Sequence, residues 1–288
     1  MRLLNPSNLA LVAPIFESCM ASLLTPFPTT ASDGALKFQP VLDFDKDSCY
    51  HTAAIGTDGT LNEGIAVPWG TENPEPVPTP MLFSGLTTGN ETELRSGSAY
   101  TPGNCRNRDR LDHSQVYVRE RCNHGWCAYL YAYYFEADRG WGNRHKHDWE
   151  HVIVWTLNDN VFFVSWSAHG DYTTNHQLNV RFEGGTHPKI VYHLGGWGTH
   201  SLKLAEAKDD GNIENETGGW FAAPLVSLEK LSCDVNRKLL RNDWGSAHMD
   251  LPARVFGEKL DKWMPWDARN NEHFDPFEPV VPAWAVGG

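Results

Sequence analysis

A chain of 288 residues with 36 acidic and 24 basic side chains, net −12 with histidine neutral, lacks the basic stripe that a nucleic-acid partner requires. The same charge opposes plain electrostatic adsorption to anionic lipid, while 41% hydrophobic and 21% charged residues suit a folded protein with its own core. Aromatic residues make up 12% of the chain and 12 of them are Trp, rings that fill a core or serve carbohydrate stacking and the membrane–water interface.

The N-terminus, MRLLNPSNLALVAPIFESCMASLLTPFPTTASDG, has one early Arg, an apolar run from Leu9 to Phe16 interrupted by Pro14, and small residues near Ala31. These are features of a secretory signal, so residues 1–33 are read as a signal peptide or disordered leader and 34–288 as one domain with a C-terminal tail. No run approaches the roughly 18 apolar residues of a membrane helix. The Pro-rich stretch VPWGTENPEPVPTP (67–80) reads as an exposed extended loop, not a domain boundary. SQVYVRE (114–120), AYLYAYYFE (128–136), EHVIVWTL (150–157), VFFVSWSAH (161–169) and KIVYHL (189–194) read as strands, rich in Val, Ile, Tyr, Phe and Trp and bounded by Gly, Asn and Asp. NDN at 158–160 marks a hairpin turn between two of them. Helical spacing is confined to the C-terminal third, as in PLVSLEKLSCDVNRKLLRN (224–242) with Leu225, Leu228, Leu231, Val235 and Leu239. The expected architecture is mainly β: a single-domain β-sandwich of antiparallel sheets with peripheral α-helices.

The cysteines at 19, 49, 105, 122, 127 and 233 contain no CxxC pair, which counts against a zinc ribbon. Asn90-Glu91-Thr92 and Asn215-Glu216-Thr217 match the N-glycosylation triplet, in keeping with secretion.

The densest chemistry lies in NRHKHDWEHVIVW (143–155). If Asp148 to Trp155 is a strand, Asp148 and Glu150 share a face, roughly 6 to 7 Å apart by the strand rise. Two carboxylates so placed are costly unless a cation or donors sit between them. Asp138, from the preceding loop EADRGWGN, could close the same site. Three carboxylates favour a hard cation, Mg²⁺ or Ca²⁺; His145 and His147 pull toward Zn, Fe or Ni. His145-x-His147-x-x-Glu150 comes close to a cupin metal motif, with the glutamate one residue early and no second motif behind it. HExxH and GxSxG are absent, and Ser165 and Ser167 lie in a strand pattern with no signalled acid partner. Cys233, beside Asp234, has nothing to lower its pKa. A glycosidase carboxylate pair stays open, since such pairs can come from any two strand ends. So does a buried hydrogen-bonded network with no ligand.

The segment AYLYAYYFEADRGWGNRHKHDWEHVIVW resembles the centre of the necrosis- and ethylene-inducing-peptide-like proteins, a family of secreted microbial cytolysins marked by the heptapeptide GHRHDWE. Here the heptapeptide runs from Arg144 to Glu150, with Arg144 in place of Gly and Lys146 in place of Arg. LDHSQVYVRE, SAHG at 167–170 and Thr199-His200 extend the likeness over roughly residues 36 to 245. The resemblance implies an actinoporin-like β-sandwich and a monomeric, non-enzymatic phytotoxin active outside the cell. It implies a divalent cation, Mg²⁺ or Ca²⁺, held by Asp138, His145, Asp148 and Glu150. The partner implied is the sugar headgroup of plant glycosylinositol phosphorylceramide sphingolipids in the outer leaflet of the plasma membrane, met by His147, Trp149, His169, Trp197 and His200. It also implies a disulfide between Cys49 and Cys105; Cys122 and Cys127 could bridge a hairpin locally, which leaves Cys233 unpaired if Cys19 is removed with the leader.

Overall fold

The structure is a computed structural model describing residues 23–67, 103–196, 198–271 and 273–278. The leader up to residue 22, the Pro-rich loop, the Asn90 sequon, Cys19 and Trp197 lie outside the described residues.

The chain enters through a short helix α1 (Asp33–Lys37), started by Ser32, and strand β1 (Val41–Phe44). After helix α2 (Arg108–Asp112) come β2 (Val116–Asn123), β3 (Trp126–Asp138), β4 (His145–Leu157), β5 (Asn160–Ala168) and β6 (Asp171–His176). Then follow β7 (Phe182–Glu183), β8 (His187–Leu194), β9 (His200–Leu204), β10 (Leu225–Ser227) and helices α3 (Cys233–Arg241), α4 (Ala253–Trp263) and α5 (Trp266–Asn270). One sheet runs β10-β2-β3-β4-β5-β6; in the other, β8 pairs with β1, β7 and β9.

The long apolar runs follow from burial on both faces of the larger sheet. Tyr129, Tyr131, Tyr133 and Phe135 of β3 pack with Phe44, Ile190 and Tyr192 in the layer between the sheets. The alternating residues Trp126, Ala128, Leu130, Ala132 and Tyr134 pack with Leu239, Phe256, Leu260 and Phe274 of the C-terminal segment. Such a strand needs apolar residues at every position, which hides the period-two signal of a half-buried strand. The meander turns on two-residue loops in the left-handed region: His124-Gly125, Asn158-Asp159 and His169-Gly170 all have positive φ. That is the twist a tight hairpin demands.

Two expectations need correction. The pairing is not antiparallel throughout, because β1 runs parallel to β8 and β10 parallel to β2. Both partners are far apart in sequence, so no tight turn dictates their direction. The helix expected over 224–242 begins only at Cys233, where Ser232 Oγ accepts the Val235 N–H at 3.3 Å. Leu225 and Leu228 belong to β10 and the 3₁₀ turn after it; their spacing continues the helical rhythm across a real boundary.

A knot beside the smaller sheet braces the loop after β1. The Arg106 guanidinium donates to the carbonyl oxygens of Phe44, Asp45, Ser48 and Glu214 and stacks on Tyr50. Cys49 and Cys105 are bonded beside it, and Cys122 is bonded to Cys127 across the β2–β3 hairpin. Cys233 is a free, exposed thiol. At the Asn215 sequon the amide is buried and donates to Asp43 Oδ1 at 2.7 Å and Gly219 O at 2.9 Å, so the folded chain withholds that nitrogen from a glycan.

The Cys49–Cys105 bridge spans 56 positions, and the chain-entropy relation assigns such a loop roughly 4 kcal/mol. Replacing both cysteines with Ala is expected to lower the urea unfolding free energy by about that amount. The same change at Cys122 and Cys127, only 5 positions apart, should cost clearly less.

Candidate functional site

The β3–β4 ladder runs in regular register from Trp126↔Leu157 to Phe135↔Asp148 and resumes at Ala137↔Lys146 and Asp138↔His145, passing over Glu136 and His147. His147 has φ +60, left-handed backbone that a non-glycine residue rarely adopts. The break in alternation lets His145 and Asp148, which a regular strand would send to opposite faces, both line one cavity with Glu150. The cavity measures about 330 Å³ and lies at the open end of the sandwich, against the β5–β6 turn and the start of β9.

Asp138 ends β3 as a buried carboxylate. Its Oδ1 accepts from Gly140 N at 2.8 Å and from His200 Nδ1 at 2.7 Å, and its Oδ2 accepts from His200 N at 2.9 Å. His145 donates Nδ1–H to the carbonyl of His147 at 2.6 Å, and its Nε2 faces Asp138 Oδ2 at 3.8 Å. Asp148 accepts from Tyr192 Oη at 2.7 Å and Trp149 N at 2.9 Å, one bond on each oxygen. Glu150 Oε2 accepts from Ser167 Oγ, whose own oxygen accepts the His151 N–H at 2.7 Å.

The electrostatics are those of an anionic cluster short of countercharge. Burial, and then the charge of Asp138, pushes the Asp148 carboxyl up to about 6. Burial and the neighbouring Asp148 push Glu150 well above the usual carboxylate range. Desolvation opposes a charged His200, yet the carboxylates of Asp138 and Asp47 outweigh it and hold that ring at about 9. His200 is thus an imidazolium clamped between Asp138 and, at 3.6 Å, Asp47. At the far wall Lys259 Nζ lies 3.1 Å from Asp250, which also accepts from Tyr172 Oη at 2.7 Å. Both cations are engaged with carboxylates outside the Asp148–Glu150 pair.

His169, at the exposed β5–β6 turn, reaches the rim and contacts Thr199 Oγ1 at 3.0 Å through Nδ1. Trp149 borders the cavity but is mostly packed against Tyr117, Tyr134 and Trp244. His147 is placed elsewhere: its Nδ1 meets Tyr134 Oη at 2.6 Å and its ring lies edge-on to Trp244. Burial lowers the His147 pKa to about 4, so the ring is neutral. The cupin-like trio of His145, His147 and Glu150 is therefore not assembled at one point. Ser167, Tyr192, Asp47, Asp250 and Lys259 join the site without any sequence signal that singled them out, except that Ser167 opens the SAHG run.

Among the described residues, no group of three or more His, Cys, Asp or Glu side chains is closed up as a metal-ligand set. The donor chemistry nevertheless suits a hard cation: among the described residues each Asp148 oxygen and Asp138 Oδ2 accept a single hydrogen bond and keep a lone pair. Glu150 Oε1 takes no hydrogen bond among the described residues. A cation there would relieve the burial and mutual repulsion that raise the pKa of Asp148 and Glu150. No helix among the described residues is long and apolar enough to cross a membrane.

Residues 32–263 match the family model described as necrosis inducing protein (NPP1). NLP effector protein 10 of Phytophthora capsici is 27% identical over 244 residues, covering 82% of this chain and 85% of that protein. Among solved structures, Necrosis and Ethylene inducing Protein 2 from the causal agent of cocoa's witches broom disease superposes with a TM-score of 0.61 at 23% identity, over 84% of this chain and 96% of that one. NLPPya in complex with mannosamine gives a TM-score of 0.57 at 23% identity, over 83% and 95%. At these identities the structural likeness shows the β-sandwich fold.

His200 yields a pH signature. Its pKa is raised in the folded chain, so its contribution is complete below about 6.5 and is lost as pH rises through about 9. The thermal midpoint should fall between pH 6.5 and 9.5, by several degrees for a contribution of about 3 kcal/mol. The His200→Gln variant, measured by the same melts, should lose this slope and start from a lower midpoint.

Proposed function

Because the chain belongs to the necrosis inducing protein (NPP1) family, we propose that it is a secreted, non-enzymatic necrosis-inducing effector that docks on plant membranes through a cation-assisted sugar site. The ligand is the headgroup of glycosylinositol phosphorylceramide sphingolipids in the outer leaflet, and the acting species is a monomer. The observation that carries this reading is the under-compensated carboxylate pair Asp148 and Glu150 at a cavity also bordered by His145 and His200. A pocket of about 330 Å³ accommodates a sugar ring but little more, and a structural neighbour is complexed with the amino sugar mannosamine.

In this reading a divalent cation, Mg²⁺ or Ca²⁺, is held by Asp138, His145, Asp148 and Glu150, and supplies a positive centre for sugar hydroxyls. The chain's own residues prepare that place. His200 fixes Asp138 through both its ring and its backbone N–H. Tyr192 orients Asp148 and Ser167 orients Glu150. The His147 carbonyl selects the His145 tautomer with Nε2 open, as a second-shell acceptor does for a metal-bound imidazole. His169 and Thr199 offer polar contacts at the rim. Ser167 is committed to Glu150 and to the His151 N–H, so it is not poised as a nucleophile.

Dye release from liposomes containing plant glycosylinositol phosphorylceramide, with and without a chelator, tests this function. The expected outcome is release that the chelator abolishes and that added divalent cation restores. The Asp148→Ala and Glu150→Gln variants should bind these liposomes at least about tenfold more weakly while keeping their melting midpoints. Release that ignores the chelator, or variants that fail only because they unfold, would reduce the carboxylate cluster to architecture.

A further inference from the structure

Four large apolar side chains stand well exposed among the described residues: Trp141, Leu178, Trp266 and Phe277. Trp141, 69% exposed, lies on the loop that joins Asp138 to His145, at the mouth of the cavity. Asn143 of this loop lines the cavity, whereas Trp141 does not. Its ring therefore stands outside the pocket, exposed on the same loop that lines it.

The loop is held, so the ring's place relative to the cavity is set. Gly140 N donates to Asp138 Oδ1, Gly142 N donates to Gly198 O and Arg144 Nε donates to Gly140 O, each at 2.8 Å. A Cβ on Gly140 would come within 1.9 Å of Gly198 O, a closeness only glycine allows. Gly198 has φ +75, and a Cβ there would meet Trp141 Cδ2 at 2.9 Å. One edge of the indole thus rests against the Gly198 backbone while the rest of the ring is in water.

We propose that Trp141 is a membrane anchor, its indole entering the interfacial layer of the bilayer while the adjacent cavity holds a lipid headgroup. The inference rests on the headgroup reading above and adds to it the surface that meets the lipid. An indole has a large apolar face and one N–H, the combination that settles at the membrane–water interface. A net charge of −12 offers no general attraction to an anionic leaflet, so an apolar contact next to the headgroup site supplies what charge does not.

The test compares wild type, Trp141→Ser and Trp141→Phe on two probes: free glucosamine, and phosphatidylcholine vesicles containing plant glycosylinositol phosphorylceramide, with divalent cation present. The expected result is equal glucosamine affinity and melting midpoint for all three. Vesicle affinity should fall about tenfold in Trp141→Ser and recover in part in Trp141→Phe. Bromolipid quenching of Trp fluorescence, present in wild type, should drop in Trp141→Ser. Equal vesicle affinity for wild type and Trp141→Ser overturns the anchor and leaves the headgroup site standing. A parallel loss of glucosamine affinity overturns it too, since the ring would then lie on the sugar. If wild type binds neither probe, the headgroup reading fails and the anchor falls with it.

Discussion

Burying carboxylates together at one end of a sandwich costs free energy, and the architecture around the site is organised by that cost. Asp138 is offset by a charged histidine, His200, which is in turn held by Asp47. Asp250 is offset by Lys259. Among the described residues, Asp148 and Glu150 receive only hydroxyl and amide donors, and their carboxyl groups rise toward the neutral form. An arrangement that balances two acids and leaves the adjacent two short of charge has room for one more positive centre. A divalent cation bound there would complete it.

The frame that keeps this end rigid is a sheet covered on both faces. The smaller sheet packs on one side of β3 and β4, and the C-terminal helices on the other. Trp149 and His147 belong to the second packing layer with Trp244, and between them they lock the strand just where its alternation breaks. The Arg106 knot and the Cys49–Cys105 bridge steady the loop bearing Asp47, so the stabilisation of His200 reaches back to residues far from the cavity. Gly140 and Gly198 then permit the close approach of the two mouth loops.

Much of the fold is legible in the residues themselves. The strands around Tyr129 to Phe135 and Val152 to Trp155 are rich in aromatic and β-branched residues, and NDN forms the expected tight turn. The parallel edges β1 and β10 are not legible, because short edge strands paired far along the chain leave no local pattern. The helix boundary at Ser232 is written in its capping residue but masked by leucines that happen to keep helical spacing. In the site, Asp148 and Glu150 follow from strand parity. His145 joins them only because His147 is left-handed, and nothing in a histidine's identity announces that. Tyr192, Asp47 and Lys259 arrive from distant segments, where one chain offers no signal of proximity.

A cation-assisted binding site would count Asp148 and Glu150 among the groups that hold the ion. Titration calorimetry of the purified, chelator-treated protein with Mg²⁺ or Ca²⁺, beside the Asp148→Asn variant, tests it most directly. Saturable binding of one cation per chain is expected for the wild type, lost or weakened at least about tenfold in the variant with the fold retained. Absence of binding to the wild type, or equal binding to both proteins, would contradict it.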